Sequence, residues 1–332
     1  MAEETFSSIG LVEAIERLYE GCPYKAFDSS YFITEGKSVA TVKTRTLLEG
    51  IDFDLVYFPL THLGYKSVIS VTGELYAEFS RPRTLDVVLG ISSKLDFKQV
   101  KELWKGIVKA AEEHSYAKLN LELIPSCNGL CISLAASGEC SLLECKRRPA
   151  AKSMDLICVS GNLGAAYLGL NVLEREKKNW SEGKNPNLDK YRQFVGAYLK
   201  PELQSGIIDA LVESDIYPSF GYFINKGLGS TLKALVRDSG LGAKIYVDRI
   251  PFEGNSFDTG KELGIDPVTA ALNGGDDYRL LFTIPIRNHD RFRHDFQTFD
   301  IIGHLARPEA GAVLVTPDGL EHPIKAQGWG QE

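Results

Sequence analysis

Three short segments carry residue types that could bind a phosphorylated or cationic ligand. Residues 273–278 read NGGDDY and precede an apolar strand pattern. Two glycines let a backbone approach a ligand closely, and the adjacent carboxylates of Asp276 and Asp277 would hold a cation, a hydroxyl or an ammonium group. A capped turn without any ligand is the alternative for this segment.

The other two segments, each taken alone, are weaker evidence for a binding site. Residues 159–164 read VSGNLG, a strand that runs through glycines into a helix and would present backbone N–H groups to an anion. Residues 48–54 read LEGIDFD and crowd three acids, Asp52 among them, into a stretch that is equally typical of a solvated loop. HExxH, Walker, GxGxxG and GxSxG motifs are absent from the sequence, which removes the commonest enzyme signatures.

Composition narrows the function classes. The chain has 332 residues, 44% of them hydrophobic, and a formal net charge of -7. The negative balance argues against nucleic-acid binding, which needs clustered positive charge. The sequence has no apolar run long enough for a membrane span, and its acidic start, MAEETFSSIG, lacks the features of a signal peptide. We therefore expect a cytoplasmic protein with no membrane or nucleic-acid partner.

The cysteines suggest two interpretations. Cys127, Cys131, Cys140 and Cys145 would form a metal clip, but structural zinc sites usually have tighter spacings. Burial as small hydrophobes is favoured, since Cys131 and Cys158 lie in strand-like runs.

The spacing of apolar residues along the chain predicts the helices and strands that position these segments. Helices are predicted from about Ser8 to Gly21 and over 96–113, 165–176, 201–213 and 230–239. Strands are predicted over 38–44, 66–71, 85–91, 130–136, 155–160, 243–247, 278–284, 301–305 and 312–316. A polar loop is expected over 177–187. The pattern lacks strict βαβ alternation, which favours an α+β fold, and the polar segment near residue 150 predicts a boundary between domains 1–150 and 151–332.

Taken in order, five segments resemble the thiamine-monophosphate kinase family, within the aminoimidazole ribonucleotide synthetase-like superfamily. They are residues 47–67, 81–92, 155–170, 271–285 and the stretch that starts IIGHLARPE at 301 and ends in GWG at 328–330. The resemblance implies a two-domain fold with mixed sheets and helices in each domain, and dimerisation through the N-terminal sheets. It also implies transfer of the γ-phosphoryl group of ATP to thiamine monophosphate, with Mg²⁺ held by several aspartates.

The sequence departs from the family pattern at those aspartates. The family's GDD is reduced to Asp28, and its TD motif reads Thr44-Arg45. Glu74 and Glu122 stand at two further acidic positions, and Lys226 replaces the second aspartate of the DISDGL motif, which reads FINKGL here. A fixed cation about 5 Å from Mg²⁺ would repel it by several kcal/mol even at an effective dielectric of about 20. The usual metal arrangement would therefore be lost or weakened.

Two hypotheses follow. In the first, the chain is a working kinase in which Arg45 and Lys226 contact phosphates directly and fewer metal ions are used. In the second, it is a non-catalytic relative that binds a small phosphorylated ligand, or that pairs with an active kinase subunit in a mixed dimer instead of forming a homodimer. A different phosphate-ester chemistry is a third, more distant alternative.

The resemblance assigns candidate residues but no catalytic residue. The nucleotide- and phosphate-binding candidates are Thr44, Arg45, Thr46, Gly161, Asn162 and Lys226. The substrate-binding candidates are Asp52, Asp276, Asp277 and Trp329, whose indole would stack on a ligand ring. The candidate Mg²⁺ ligands are Asp28, Glu74 and Glu122. Glu74 and Glu122 would alternatively pair with Arg45 and Lys226.

Overall fold

A computed structural model describes residues 10–21, 23, 26–27, 32–34 and 37–329. The helices are α1 Leu11–Leu18, α2 Leu60–Ala77, α3 Phe97–Glu113, α4 Leu142–Arg147, α5 Ala165–Ser181, α6 Arg192–Leu199, α7 Ile207–Glu213, α8 Leu228–Ser239, α9 Ser256–Leu263, α10 Pro267–Asn273 and α11 His289–Asp295. The strands are β1 Phe32–Thr34, β2 Ser38–Leu48, β3 Arg81–Ile91, β4 Lys118–Pro125, β5 Cys131–Ser141, β6 Leu156–Ser160, β7 Gly221–Ile224, β8 Gly242–Tyr246, β9 Arg279–Ile284, β10 Phe299–Ala306, β11 Ala312–Val315 and β12 Glu321–Pro323.

Two mixed sheets organise these strands. The first has the order β1-β2-β5-β3-β4, and its only parallel pair among the described strands is β3 with β4. The second has the order β12-β11-β8-β10-β6-β9-β7, with β8 and β11 parallel. Mixed sheets with helices in each half confirm the predicted α+β class.

The two sheets divide the chain between Ser141 and Leu156. A single buried cluster nevertheless contains residues of both halves, such as Leu75 and Phe282. The predicted boundary near residue 150 lies in the segment between the sheets and stays a prediction.

Local sequence signals explain several elements. Helix α3 begins where Asp96 and Gln99 form a capping box, so that each side chain accepts a hydrogen bond from the other residue's backbone N–H. In β5, buried and half-buried residues alternate along the strand, as expected for a sheet with one face on the core. None of the helices in the described ranges has the length and apolarity that crossing a bilayer requires.

Helix α2 overturns one prediction, because residues 66–71 lie in its middle and form no strand. The helix contacts β2, β3 and β5 of the first sheet and β7 and β9 of the second, so it is buried on nearly all sides. A helix buried all round lacks the one-sided apolar stripe by which helices are recognised. Its run of β-branched residues therefore looked like a strand.

Other boundaries also differ. The predicted helix over 201–213 begins only at Ile207, and the predicted loop over 177–187 begins later, because α5 continues to Ser181. Strand β2 extends four residues past its predicted end, to Leu48. All four edge strands, β1, β4, β7 and β12, lie outside the predicted strands. Strand β4 is largely exposed, and the other three have only three or four residues, so none shows a clear alternation. Residues 8 and 9 of the predicted first helix lie outside the described residues.

Helix α2 approaches α3 closely because glycines stand at the crossing. A Cβ built on Gly64 would lie 2.0 Å from the carbonyl oxygen of Leu103, and one on Gly106 would lie 1.9 Å from that of Thr61. Such backbone contacts leave no room for a side chain.

We expect Gly64→Ala to lower the free energy of unfolding by about 1–3 kcal/mol, because α2 and α3 must move apart to admit the methyl group. The control is Gly196→Ala in α6, where a Cβ has no neighbour within 4 Å and where alanine is favoured over glycine by up to about 1 kcal/mol. Urea unfolding of both variants measures the difference. Equal midpoints would contradict the proposed packing constraint.

Candidate functional site

A buried lysine marks the candidate site, which lies between the two sheets. Lys66, in α2, is 2% exposed, and its Nζ lies 2.9 Å from Oδ2 of Asp276. The same Nζ lies 3.6 Å from the ring centroid of Tyr198 and 5.4 Å from that of Tyr278. Burial lowers the pKa of Lys66, and the nearby carboxylates of Asp276 and Asp52 oppose that effect. The ion pair and the aromatic faces therefore hold the lysine in place.

Arg45, in β2, lies near this ion pair, and the region bounded by Lys66, Arg45, Asp52 and Asp276 is called the cleft below. Its Nη2 lies 4.0 Å from Oδ1 of Asp52, and its Nε is buried without a hydrogen-bond partner in the described part of the chain. Asp52 is already engaged, because its Oδ2 accepts a hydrogen bond from the backbone N–H of Leu48 at 2.8 Å. A buried guanidinium nitrogen without an acceptor is a donor available for an anion.

Glu74 lies in the second half of α2, near the guanidinium group of Arg45. Its Oε1 accepts a hydrogen bond from Nδ2 of Asn225 at 2.8 Å. Burial raises the pKa of Glu74, and the positive charges of Lys43, Arg45 and Lys226 only partly offset the rise. Arg45 and Lys226 thus act on Glu74 through their charge, but within the described residues neither forms an ion pair with it. The predicted pairing of Glu74 with these cations stays a prediction.

The two adjacent aspartates point to different partners. Asp276 and Tyr278 have positive φ angles of 59° and 50°, and their backbone N–H groups donate to the carbonyl oxygens of Asn225 and Ile224 at 2.9 Å. This turn directs Asp276 toward Lys66 in the cleft. Asp277 points away from it and is 4% exposed.

Asp277 holds the start of helix α5. Its Oδ2 accepts from the N–H of Gly164 at 2.9 Å, and its Oδ1 accepts from that of Ala166 at 3.4 Å. Burial raises the pKa of Asp277 to about 7, although these two backbone hydrogen bonds oppose the rise. The helix N-terminus expected to receive an external anion therefore binds a carboxyl group of the chain itself.

The remainder of the glycine loop is also engaged. The N–H of Gly161 donates to the carbonyl of Thr298 and that of Leu163 to the carbonyl of Pro251. The Asn162 side chain donates to Glu253 at 2.8 Å. Gly161 and Asn162 thus offer fewer free donors than the sequence pattern indicates, and their predicted role in phosphate binding stays a prediction.

Three other candidates lie on the opposite face of the first sheet. Side chains alternate along β2, so Arg45 points toward α2 while Thr44 and Thr46 point outward. The hydroxyl of Thr46 lies 3.0 Å from that of Ser133. Glu122 is in register with Val88, next to the Ser133 row, and lies on this outer face as well. The sheet therefore separates Glu122 from Glu74, and the two do not form a common metal site.

Two candidates remain, Trp329 and Asp28, and neither is seen in the cleft. The indole nitrogen of Trp329 donates to Oγ of Ser230 at 3.3 Å, and the guanidinium of Arg237 lies 5.5 Å from its ring centroid. Trp329 thus packs on helix α8. Asp28 lies outside the described residues.

The acids that the structure describes in the cleft, a set that does not include Asp28, do not fit Mg²⁺, which requires several oxygen ligands arranged around one point. Glu74 has an amide partner and cationic neighbours, and Asp276 is paired with Lys66. Within the described residues no group of three histidine, cysteine, aspartate or glutamate side chains could hold a metal ion. The same finding applies to the cysteines, of which Cys158 is fully buried in β6 as a small hydrophobe.

Lys66 and Tyr198 are site residues that the sequence analysis missed. Lys66 lies inside an apolar segment for which the sequence pattern predicts a strand, and Tyr198 lies in α6, where the pattern predicts no helix. A lysine flanked by a long apolar run was the available signal, because such a residue is rarely buried without a partner.

The curated relatives that this chain resembles are thiamine-monophosphate kinases, and its structural neighbours also include the hydrogenase maturation protein HypE, with a TM-score of 0.63 at 17% identity. A thiamine-monophosphate kinase from Buchnera aphidicola subsp. Schizaphis graminum is 30% identical over 299 residues, covering 87% of this chain and 86% of that protein. The crystal structure of thiamine monophosphate kinase from Aquifex aeolicus superimposes with a TM-score of 0.75 at 22% identity, covering 96% of this chain and 99% of that one. AaThiL complexed with AMPPCP and TMP gives a TM-score of 0.77 at 21% identity, with coverage of 97% and 100%. No protein-family model matches the chain.

Asp277 should make stability depend on pH. The folded protein keeps a proton on Asp277 where the unfolded chain has released it, so its contribution to the free energy of unfolding falls as the pH rises from about 4 to about 7. Asp277→Asn removes the titration and keeps one acceptor oxygen. We expect urea unfolding of this variant to vary less with pH across that window than the wild-type protein.

The matched control is Asp266→Asn, which alters an exposed aspartate that caps α10. Parallel pH profiles for the wild type and Asp277→Asn would mean that Asp277 is ionised in the folded protein.

Proposed function

Because the chain belongs to the thiamine-monophosphate kinase family, we propose that it is a phosphate-binding member that uses no divalent cation and does not transfer the phosphoryl group. The ligand class is the one named for its structural relative, which is complexed with AMPPCP and TMP. We therefore propose a nucleotide or a thiamine phosphate as the ligand of this chain.

The observation that carries this proposal is the buried, unpartnered Nε of Arg45. The Arg45 side chain projects into the cleft that also contains Lys66 and borders Lys226, so a phosphate oxygen would supply the missing acceptor. Arginine binds phosphate through a planar set of donors, and hydrogen bonds to charged groups are stronger than neutral ones. The cations thus offer the charge compensation that Mg²⁺ supplies in metal-dependent phosphoryl transfer.

Loss of phosphoryl transfer is the second part of the proposal. Metal ions neutralise donor and acceptor phosphates and align the reacting oxygens, and fixed side chains would have to do both here. The acids that remain, Glu74 and Asp276, are engaged with Asn225 and Lys66. The alternative is a working kinase in which Arg45 and Lys226 contact the phosphates directly.

Titration calorimetry with thiamine monophosphate and with AMPPCP, each in Mg²⁺ and in EDTA, tests the binding. We expect at least one ligand to bind with an affinity that Mg²⁺ does not increase. Arg45→Ala should weaken that binding by about 10- to 100-fold, because a charged hydrogen bond contributes about 1.5–3 kcal/mol. Arg83→Ala, at an exposed arginine of the same sheet that pairs with Glu139, is the control and should bind normally.

A product assay with ATP, Mg²⁺ and thiamine monophosphate separates the two hypotheses. We expect no thiamine diphosphate above the blank. Turnover would reject the non-catalytic proposal in favour of the working kinase, whereas binding of neither ligand would reject the phosphate-binding role.

We also propose that the chain forms a homodimer through the outer face of the first sheet. That face exposes Val42, Leu48 and Ile124, whose exposed fractions are 66%, 39% and 44%. Apolar side chains gathered on one sheet face are typical of interaction surfaces. A mixed dimer with an active kinase of the same fold would use the same face.

Sedimentation velocity tests the dimer. Val42→Lys should shift the protein toward a monomer, because burying a charge at the centre of an apolar interface is costly, whereas Phe97→Lys changes an exposed apolar residue at the start of α3 and should not. A monomeric wild-type protein at tens of micromolar would contradict the homodimer, and a complex formed only on adding an active kinase would indicate the mixed dimer.

A further inference from the structure

A second cleft lies at the far end of strand β9. Its volume is about 520 Å³, within the range of small-molecule pockets. Arginines from two parts of the chain line it: Arg147 at the end of α4, and Arg287 and Arg291 around the start of α11. Tyr217 and Asp215 also line this cleft.

This cleft is separate from the candidate site described above. Asp276 lies just before β9, whereas Arg287 lies just after it. The strand has six residues and each adds about 3.3 Å, so roughly 20 Å of strand separates the two sites. A ligand in one cleft therefore does not contact the other.

Arginines outnumber acids among the residues that line the cleft, although Glu144 and Asp295 lie near Arg147 and Arg291 outside the lining. Nη1 of Arg147 donates to the hydroxyl of Tyr217 at 3.0 Å and lies 3.7 Å from Oδ1 of Asp215, and Nη1 of Arg291 donates to the carbonyl of Ser214 at 3.2 Å. The guanidinium of Arg287 makes no hydrogen bond or ion pair within the described part of the chain. Three cations thus face one carboxylate in a chain whose net charge is -7.

The shape of the cleft favours a compact ligand. Tyr217 forms a rigid floor, because the residue is 6% exposed and its ring centroid lies 5.9 Å from that of Phe79. The lining is mostly polar, so it offers little surface to a large apolar group. Each arginine has five N–H donors, and those of Arg147 and Arg291 are only partly used.

We propose that this cleft binds a compact phosphate oxyanion, either free or as the terminal phosphoryl group of a small molecule. Arginines bind phosphate through paired N–H donors, and several of them around one cavity compensate a charge of two or more. The site is independent of the proposed function, since it uses none of the residues of the first cleft.

Titration calorimetry with pyrophosphate and with inorganic phosphate tests the proposal in an Arg45→Ala background, which weakens the first cleft. We expect binding at one site per chain that weakens as salt is added. Arg287→Ala with Arg291→Ala should lower the affinity at least tenfold. Arg293→Ala is the matched control, because this exposed arginine lies on the same helix but not in the cleft.

A nucleoside monophosphate is the third probe. Tighter binding than inorganic phosphate would show that the phosphoryl group belongs to a larger molecule, and weaker binding would indicate the free anion. The proposal is overturned if neither pyrophosphate nor phosphate binds to the Arg45→Ala protein. It is also overturned if the Arg287 and Arg291 substitutions affect binding no more than Arg293→Ala does, with thermal unfolding confirming that each variant is folded.

Discussion

The burial of helix α2 between two sheets is the constraint on which the rest of the structure depends. Its glycines allow close contact with α3, and Gly73 allows the ring of Phe223 in β7 to lie against the helix, where a Cβ would approach it to 2.1 Å. A helix enclosed in this way places any polar side chain in a low-dielectric environment. Lys66 therefore needs the carboxylate of Asp276, and removing either partner would leave an uncompensated charge.

The same constraint explains why two neighbouring aspartates have different environments. The left-handed turn before β9 directs Asp276 to the buried lysine and Asp277 to the first turn of α5. The side chain of Asp276 thus forms an ion pair across the cleft, and that of Asp277 caps a helix. Glu74 is also engaged, because it accepts a hydrogen bond from the side-chain amide of Asn225. The groups of the cleft that are available to bind a ligand are therefore cations, above all Arg45.

Much of the second sheet could be predicted from the sequence, because its inner strands are short apolar runs with turn residues between them. The strand predicted over 278–284 matches β9 to within one residue. Helix α2 could not be recognised from the sequence, because it is buried on nearly all sides and so lacks the one-sided apolar stripe of an amphipathic helix. Strand β2 continues past the predicted end at Thr44, so Arg45 points to one face of the sheet and Thr44 and Thr46 point to the other. The role of these three residues in phosphate binding stays a prediction.

The position of α2 also bears on how ligands enter and leave. Helix α2 packs in the cores of both halves, so it would lose its contacts with one of them if the two halves rotated apart. Opening a hinge between the sheets would expose buried side chains such as Val68 and Ile69, at about 1.5–3 kcal/mol each. Exchange of a bound molecule should therefore proceed by movement of side chains and loops at the cleft rim, on the fast timescale of such motions, with no slower opening step to limit the rate of association.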